Sequence, residues 1–404
     1  MSGPVQLTAD ELDLERWILP GDGVVFGQAC AEPTVLVDAL LAQAQAIGGV
    51  RAFVGLVWGD RLASEASQAL EVVSYGALGR LGRVPGLRVV PCHFSALPGL
   101  FAAHALPGDV AFVQVAPPDS VGRCSMGVGV DYLADALEHA RVVIAEVNDH
   151  CPVTAGHWIA WDRLDAVVVS SRPLLEAPPV TPCENERRIA AHVAALVRDG
   201  DTIQLGVGAL PGAIMQALGD HRNLGVHSGM ISDGVLDLIE AGVVTNACKH
   251  ADRGLTVTGA ALGSQRLFSA LGGREDVVFR PVSYTHAPAT LATVGRLCAI
   301  NSALEVDLSG QANAESIEGR PLGAVGGQVD FLRAAAACGG TPIIALPSTR
   351  VVKHLSGPVS TARSDVDWVV TEHGARSLKG LSDDQRSAAL LELAGAADAE
   401  TLAV

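Results

Sequence analysis

Histidines and cysteines are the side chains of this sequence that could do chemistry near neutral pH, and their spacing separates the options. The eight cysteines occur singly, at Cys30, Cys92, Cys124, Cys151, Cys183, Cys248, Cys298 and Cys338. Because none forms a Cys-x-x-Cys pair, the pattern excludes a zinc-ribbon site and a dithiol redox motif. His221, His227 and His250 lack metal-ligand spacing, so we predict no metal site. Imidazole remains as the group able to accept or donate a proton near pH 7.

Two glycine pairs could bring backbone amides close to an anionic group. Gly206 and Gly208 form a Gly-x-Gly step, but Leu210 and Pro211 follow Ala209. This is not the Gly-x-Gly-x-x-Gly fingerprint of a dinucleotide site, so we expect no nicotinamide. Gly326-Gly327 suits either a tight turn or an amide pair that binds an oxyanion.

The composition excludes several classes of protein. The chain has 404 residues, of which 49% are hydrophobic and 18% charged, which is enough to build two folded domains. A net charge of −16 argues against non-specific binding to nucleic acid or to an anionic membrane. The first residues lack the pattern of a signal peptide, and no uncharged apolar run reaches the ~18 residues of a membrane span. With isolated cysteines, this composition leads us to expect a cytoplasmic protein.

Short β-branched runs alternate with helix-like stretches along the whole chain. Strands are predicted at 50–57, 87–92, 109–116, 141–147, 166–170, 202–205, 255–258, 277–282, 299–304, 342–346 and 366–371. Helices are predicted at 33–46, 130–140, 183–197, 211–218 and 383–394. Continuous apolar strands alternating with helices are typical of a parallel sheet covered on both faces, so the predicted fold class is doubly wound α/β. Ligands of such sheets bind at the carboxyl ends of the strands.

An internal echo predicts two related domains. Residues 21–40 and 200–218 share a Gly-Asp opening, an apolar run, a glycine turn, a proline and a helix that ends in Ala-Leu. The proline-rich stretch 172–182 is the expected linker. We therefore predict an N-terminal α/β domain over residues 1–180 and a C-terminal α/β domain over residues 181–404.

Several motifs in order resemble those of the acetyl-CoA hydrolase/transferase family, which includes the 4-hydroxybutyrate CoA-transferases. They are Asp109-Val-Ala111, Pro117-Pro-Asp-Ser-Val-Gly122, Ser125-Met-Gly127, Glu146-Val-Asn148, Gln204-Leu-Gly-Val-Gly-Ala-Leu-Pro211, Leu224-Gly-Val-His227, Ser232-Asp-Gly234, Asn301-Ser-Ala-Leu-Glu-Val-Asp307, Gly310-Gln311, Gly326-Gly-Gln-Val-Asp-Phe331 and Val370-Thr-Glu-His-Gly374. The resemblance covers roughly residues 18–395.

The resemblance implies two related α/β domains with acyl-CoA in the cleft between them. It also implies covalent catalysis, in which a glutamate attacks an acyl-CoA thioester and carries CoA to a carboxylate acceptor as a glutamyl-CoA thioester. Acyl-CoA is then a substrate, no cofactor is permanently bound, and a homo-oligomer is the default expectation. On the same ground, Gly326, Gly327 and Gln328, with Gly206 and Gly208, are candidates for binding CoA or the oxyanion.

Two departures from the family pattern fall at the active-site segment. The family reads His-Thr/Ser-Glu-Met, whereas this chain reads His227-Ser-Gly229-Met, so glycine stands where the nucleophilic glutamate belongs. The family commonly has Tyr-x-Asn-x-Pro, whereas His286 replaces the asparagine here. A carboxylate is lost, and an imidazole that can act as base or nucleophile is gained beside its place. His227 matches the family but also suits a structural role.

Three functional classes fit these departures. The first is an acyl-CoA enzyme that performs acyl transfer or thioester hydrolysis without a glutamyl-CoA intermediate, with His286 and His227 in the site. The second is an orthodox CoA-transferase whose carboxylate comes from elsewhere, for instance Asp233 or Glu240. The third is a protein that binds acyl-CoA without chemistry. The first explains both departures by one change of mechanism, and it is our expectation.

Overall fold

Apolar, mostly β-branched runs form two large sheets in the computed structural model, which describes residues 3–64, 68–395 and 402. The first sheet contains β1 Val5–Leu7, β2 Gly23–Phe26, β3 Arg51–Phe53, β4 Glu71–Ser74, β5 Arg88–Val89, β6 Val110–Val115, β7 Val142–Asn148 and β8 Ala166–Ser170. The second contains β9 Thr202–Leu205, β10 Gly225–Val226, β11 Leu297–Ser302, β12 Thr341–Ala345, β13 Trp368–Thr371 and β14 Gly374–Ser377.

Helices alternate with these strands. They are α1 Thr34–Ile47, α2 Leu97–Ala102, α3 Asp131–Leu137, α4 Glu184–Ala194, α5 Ala209–Ala217, α6 Asp233–Glu240, α7 Gln265–Leu271, α8 Val282–Thr285, α9 Pro288–Leu291, α10 Gln328–Ala337 and α11 Asp383–Ala394. Short strands form small separate pairings or sheets at Leu56–Val57, Leu78–Gly79, Arg123–Ser125, Ala155–Gly156, Trp158–Ala160, Met230–Ile231, Thr256–Thr258, Ala260–Ala261, Val277–Phe279, Glu305–Asp307, Ala312–Asn313, Ser316–Ile317, Arg320–Pro321 and Val351–Val352. The alternation of strand and helix confirms the predicted α/β class.

The chain divides into two compact units. The first comprises Met1–Pro178 and Thr258–Thr285, and the second comprises Pro179–Val257 and His286–Val404. The predicted division into 1–180 and 181–404 therefore needs one correction, because residues 258–285 belong to the first unit. Backbone pairing explains the correction, since the strand Val277–Phe279 lies parallel to Ala155–Gly156 of the first unit.

The first unit is built on a parallel sheet in the order β1-β8-β7-β6-β2-β3-β4-β5. Every residue of β6 and β7 is buried, which is why these strands read as continuous apolar runs. The predicted linker begins inside this unit. The Arg172 guanidinium donates from Nε to Glu146 Oε1 at 2.6 Å and from Nη2 to Gln114 Oε1 at 2.9 Å, so it is tied to the ends of β7 and β6.

The second unit has the order β10-β9-β11-β12-β13-β14, in which all neighbours are parallel except β13 and β14. Strand β10, which follows β9 in the chain, pairs with one edge of β9, and the later strand β11 pairs with the other edge. The strand order reverses at β9, and the carboxyl ends of strands at such a reversal are where α/β sheets bind ligands. In the first unit the strand order reverses in the same way at β2, so the two echoed segments occupy equivalent places in their sheets.

Helix α10 was not among the predicted helices. The sequence predicts a turn or an amide pair at Gly326-Gly327 and no helix after it, but Gln328 is the first residue of a ten-residue helix. Val329, Leu332 and Ala335 are buried at helical spacing, and this pattern was the available signal. The strand predicted at 299–304 also begins two residues earlier, at Leu297, because Leu297 and Cys298 pair with β9.

The close contact at Gly156 yields a test of the corrected division. A methyl group on residue 156 would lie 2.0 Å from the Phe279 carbonyl oxygen, and Gly156 has a φ of +123°. We expect Gly156→Ala to lower the free energy of unfolding by at least about 2 kcal/mol, because the segment 258–285 could no longer pair there. Urea unfolding measures this loss.

Gly122→Ala is the matched control for that measurement. Gly122 also has a positive φ, +76°, but a methyl group there meets only the Trp161 Cβ, at 3.9 Å. Backbone strain alone should cost about 1 kcal/mol. Equal losses in the two variants would contradict the importance of the Gly156–Phe279 contact.

Candidate functional site

The segment that follows β10 lies at the carboxyl edge of the second sheet. The His227 amide donates to the Ile203 carbonyl of β9 at 3.2 Å, and the Ser228 amide donates to Val257 at 3.0 Å. The Ser228 hydroxyl donates to the Leu205 carbonyl at 3.0 Å. His227 and Ser228 are both buried. These bonds hold the backbone of Gly229 in a defined place beside the end of β9.

The imidazole of His286 lies directly over Gly229. A Cβ on residue 229 would be 2.7 Å from His286 Cε1 and 3.0 Å from Nε2. Gly327 lies against the same ring, since a Cβ there would be 2.6 Å from Nε2 and 2.8 Å from Cδ2. Two separate segments of the second unit thus approach the imidazole, each at a residue with no side chain. The structure brings together three residues that the sequence singled out.

Helix α10 fixes the positions of Gly327 and Phe331, which both lie against the His286 ring. Gly327 precedes the first helical residue, and the Phe331 amide donates to the Gly327 carbonyl at 3.2 Å. The Phe331 ring packs against the His286 ring edge-on, with centroids 4.8 Å apart and planes at 64°. The sequence marks Phe331 only as the last residue of a motif, and its contact with His286 is seen only in the structure.

Burial decides the protonation state of His286. The residue is 3% exposed. Desolvation, followed by the nearby His227 imidazole, lowers the pKa of His286 from 6.5 to about 3. The ring is therefore neutral throughout the physiological pH range. This corrects the expectation of a base that titrates near pH 7.

The remaining glycines of the predicted site lie at helix starts. Gly206 and Gly208 form the turn between β9 and α5, and Gly208 is the residue before the helix. Gly326 has a φ of +58° and leads into α10. Gln328 is buried and donates from Nε2 to Thr361 Oγ1 at 2.8 Å, so its amide ties the helix to a neighbouring loop. Roles for these residues in binding CoA or an oxyanion stay predictions.

Asp233, the predicted alternative carboxylate, is the first residue of α6 and is half-buried. Helix α6 packs on α5, and its Gly234 approaches Met215 closely enough that a Cβ would lie 2.9 Å from Met215 Cβ. Asp233 follows Gly229 by four residues, on the far side of the short strand Met230–Ile231.

The side-chain amides of Gln204 and Asn301 form a pair that the sequence does not predict. Asn301 donates from Nδ2 to Gln204 Oε1 at 3.0 Å, and Gln204 donates back from Nε2 to Asn301 Oδ1 at 3.4 Å. The pair joins β9 to β11 near their carboxyl ends. Both residues open motifs quoted above, but only strand pairing places them side by side.

The described residues contain no cluster of three or more His, Cys, Asp or Glu side chains suited to a metal ion. Within the same part of the chain, no helix combines the length and the apolar character needed to cross a membrane.

Comparison with known proteins gives consistent matches. A family model described as "Acetyl-CoA hydrolase/transferase N-terminal domain" matches residues 80–176, and its "C-terminal domain" counterpart matches residues 263–403. The chain is 41% identical to the 4-hydroxybutyrate coenzyme A transferase of Clostridium kluyveri, over 75% of this chain and 73% of that protein.

Solved structures agree with those matches over nearly the whole chain. RipA from Yersinia pestis superposes with a TM-score of 0.92 at 33% identity, covering 99% of this chain and 96% of RipA. The 4-hydroxybutyrate CoA-transferase of Porphyromonas gingivalis superposes with a TM-score of 0.85 at 34% identity, with the same coverage.

The low pKa of His286 yields a prediction on stability. An unfolded histidine takes up a proton below about pH 6.5, and the native ring does not until about pH 3. The free energy of unfolding should therefore fall as the pH drops from 6.5 towards 3, and this contribution is complete above pH 6.5. Between about pH 6.5 and about pH 5 the loss should be about 2 kcal/mol. We expect His286→Asn to remove that part of the pH dependence in urea unfolding.

His354→Asn is the control, because His354 is exposed. It should keep the pH dependence of the wild type. If His286→Asn kept it as well, the native imidazole would titrate normally and the buried neutral state would be wrong.

Proposed function

Because this chain belongs to the acetyl-CoA hydrolase/transferase family, we propose that it cleaves or transfers an acyl-CoA thioester without a glutamyl-CoA intermediate at position 229. Enzymatic processing of acyl-CoA by transfer or hydrolysis is the activity of the family. The observation that carries the finer proposal is the absence of a side chain at Gly229 together with the His286 imidazole that lies over it. A glycine cannot form the acyl anhydride that such an intermediate requires.

The chemistry open to this site is direct attack on the thioester by an external nucleophile. Water adds to the carbonyl carbon, an oxyanion forms, and the C–S bond breaks to release CoA. A proton from the water ends on the thiol, and the products are a carboxylic acid and CoA. An alcohol or an amine would react in the same way and give an ester or an amide.

The role that suits His286 is donation of a hydrogen bond rather than removal of a proton. A base with a pKa of about 3 is poorly matched to catalysis near pH 7. A neutral imidazole can still donate its N–H to a developing oxyanion, and it does so best where water is excluded. Backbone amides at Gly326 and Gly327 would complete such a site, and CoA enters as a substrate with no permanently bound cofactor.

A CoA-transferase that uses Asp233 is the second candidate. Its support is the half-buried position of Asp233 at the start of α6, four residues after Gly229. A carboxylate there would restore covalent catalysis with a carboxylic acid as acceptor.

Trapping of the intermediate separates the two candidates. The enzyme is incubated with acetyl-CoA, reduced with borohydride, digested and analysed by peptide mass spectrometry. We expect consumption of acetyl-CoA with no reduced carboxylate in the peptide that contains residues 227–240. A reduced Asp233 would instead establish the orthodox transferase. Binding of acetyl-CoA with no turnover by water, alcohols, amines or carboxylates would leave a binding protein.

His286→Ala tests the role of the imidazole. Loss of an oxyanion donor typically lowers kcat by 10²–10³-fold, so a fall of about 10²-fold is expected. The affinity for CoA, measured by calorimetry, should stay nearly unchanged, because the bond forms only in the transition state. His354→Ala, at an exposed position, should keep full turnover. Wild-type kcat in His286→Ala would remove His286 from the mechanism.

A further inference from the structure

The space over Gly229 is filled by one ring, and its dimensions decide what else can occupy it. Real Cβ atoms essentially never lie within 3.0 Å of another heavy atom, yet a Cβ on residue 229 would lie 2.7 Å from His286 Cε1. The overlap begins at the first side-chain atom. Every residue other than glycine therefore meets the ring at position 229, whatever its polarity or length.

The ring has little room to move away from such a side chain. Gly327 lies against it closely enough that a Cβ there would be 2.6 Å from Nε2, and Phe331 packs against its edge. The residue is 3% exposed. Its backbone is fixed as well, because Pro288 opens helix α9 and the Leu291 amide donates to the Ala287 carbonyl at 2.9 Å.

The backbone of residue 229, on the opposite side of the contact, is also held in place. Bonds from Ser228 to Val257 and to Leu205, each 3.0 Å long, hold the backbone next to Gly229. The helix bond from the Phe331 amide to the Gly327 carbonyl holds Gly327 in place. Close-packed interiors tolerate added volume only by shifting neighbours, and here each neighbour is tied to sheet or helix.

We propose that His286 excludes any side chain from position 229, so that an imidazole at 286 and a nucleophilic carboxylate at 229 are alternative occupants of one space. By filling that space, His286 sets the acceptor class, in addition to its proposed role as a donor to the oxyanion. While it is present, CoA cannot pass to an enzyme carboxylate at 229, and the acyl group goes to an external nucleophile. The exclusion of a side chain from position 229 follows from the geometry alone, whereas the statement about acceptors rests on the proposed function.

A double-mutant cycle on stability tests the steric part without any activity. Gly229→Ala and Gly327→Ala should each lower the melting temperature by about 4 °C or more, because each methyl group overlaps the ring. In a His286→Ala background, the same two substitutions should cost less than about 1 °C. Gly212→Ala is the control, since no atom lies within 4 Å of its Cβ, and it should not lower the melting temperature. An unchanged cost in the His286→Ala background would overturn the proposal.

Covalent trapping tests the part on acceptors. Gly229→Glu and the double variant Gly229→Glu/His286→Asn are incubated with acetyl-CoA and reduced with borohydride, and the reduced peptide is measured. We expect at least tenfold more adduct at residue 229 in the double variant, because asparagine leaves room for the carboxylate. Equal adduct in the two variants would overturn the proposal. A failure of the proposed function would be seen in another measurement, because the wild-type protein would then not consume acetyl-CoA.

Discussion

The His286 imidazole can lie where it does only because Gly229 and Gly327 both lack a side chain. The ring fills the space that would otherwise receive the side chain of residue 229, and Phe331 packs against its edge. Strand β9 and helix α10 each supply a fixed wall, and the site residues all come from the second compact unit. This packing determines which functional group occupies the space over residue 229.

Burial has a second consequence, which is electrostatic. Removal of the ring from water disfavours its charged form, and the neighbouring His227 adds to that effect. Residue 229 has no side chain, and the group that occupies the space over it is an imidazole held neutral by burial. A neutral group can stabilise charge that develops in a transition state, but it cannot store an acyl group or CoA. In the proposed function, the neutral imidazole and direct attack by an external nucleophile therefore go together.

Much of the scaffold could be predicted from the sequence, because fully buried strands leave a local signal. Strands 166–170 and 202–205 and helix 383–394 have the predicted bounds, and α11 carries the Ser382–Gln385 capping pair that marks a helix start. Helix α10 was missed because two glycines suggested a turn. The sequence did not indicate that residues 258–285 belong to the first unit. Their strand Val277–Phe279 pairs with Ala155–Gly156, and such a long-range contact leaves no local sequence pattern.

The proximity of Gly229 and His286 was expected from the resemblance to the family, but the protonation state of His286 was not. The sequence suggested a base beside an empty position, since a histidine in isolation titrates near pH 6.5. In the structure the ring itself occupies the space over Gly229, and burial lowers its pKa to about 3. Degree of burial and distance to a second imidazole depend on how separate segments pack, and neither can be read from residue type or spacing.

Nitrogen NMR of the histidine rings tests the central claim most directly. Protein labelled with ¹⁵N-histidine is titrated from about pH 8 to about pH 5, and the His286 resonance is assigned by its absence in His286→Asn. We expect the ring-nitrogen shifts of His286 to remain those of a neutral imidazole over the whole range. A transition to the imidazolium form near pH 6.5 would contradict this expectation, because burial would then not hold the ring neutral.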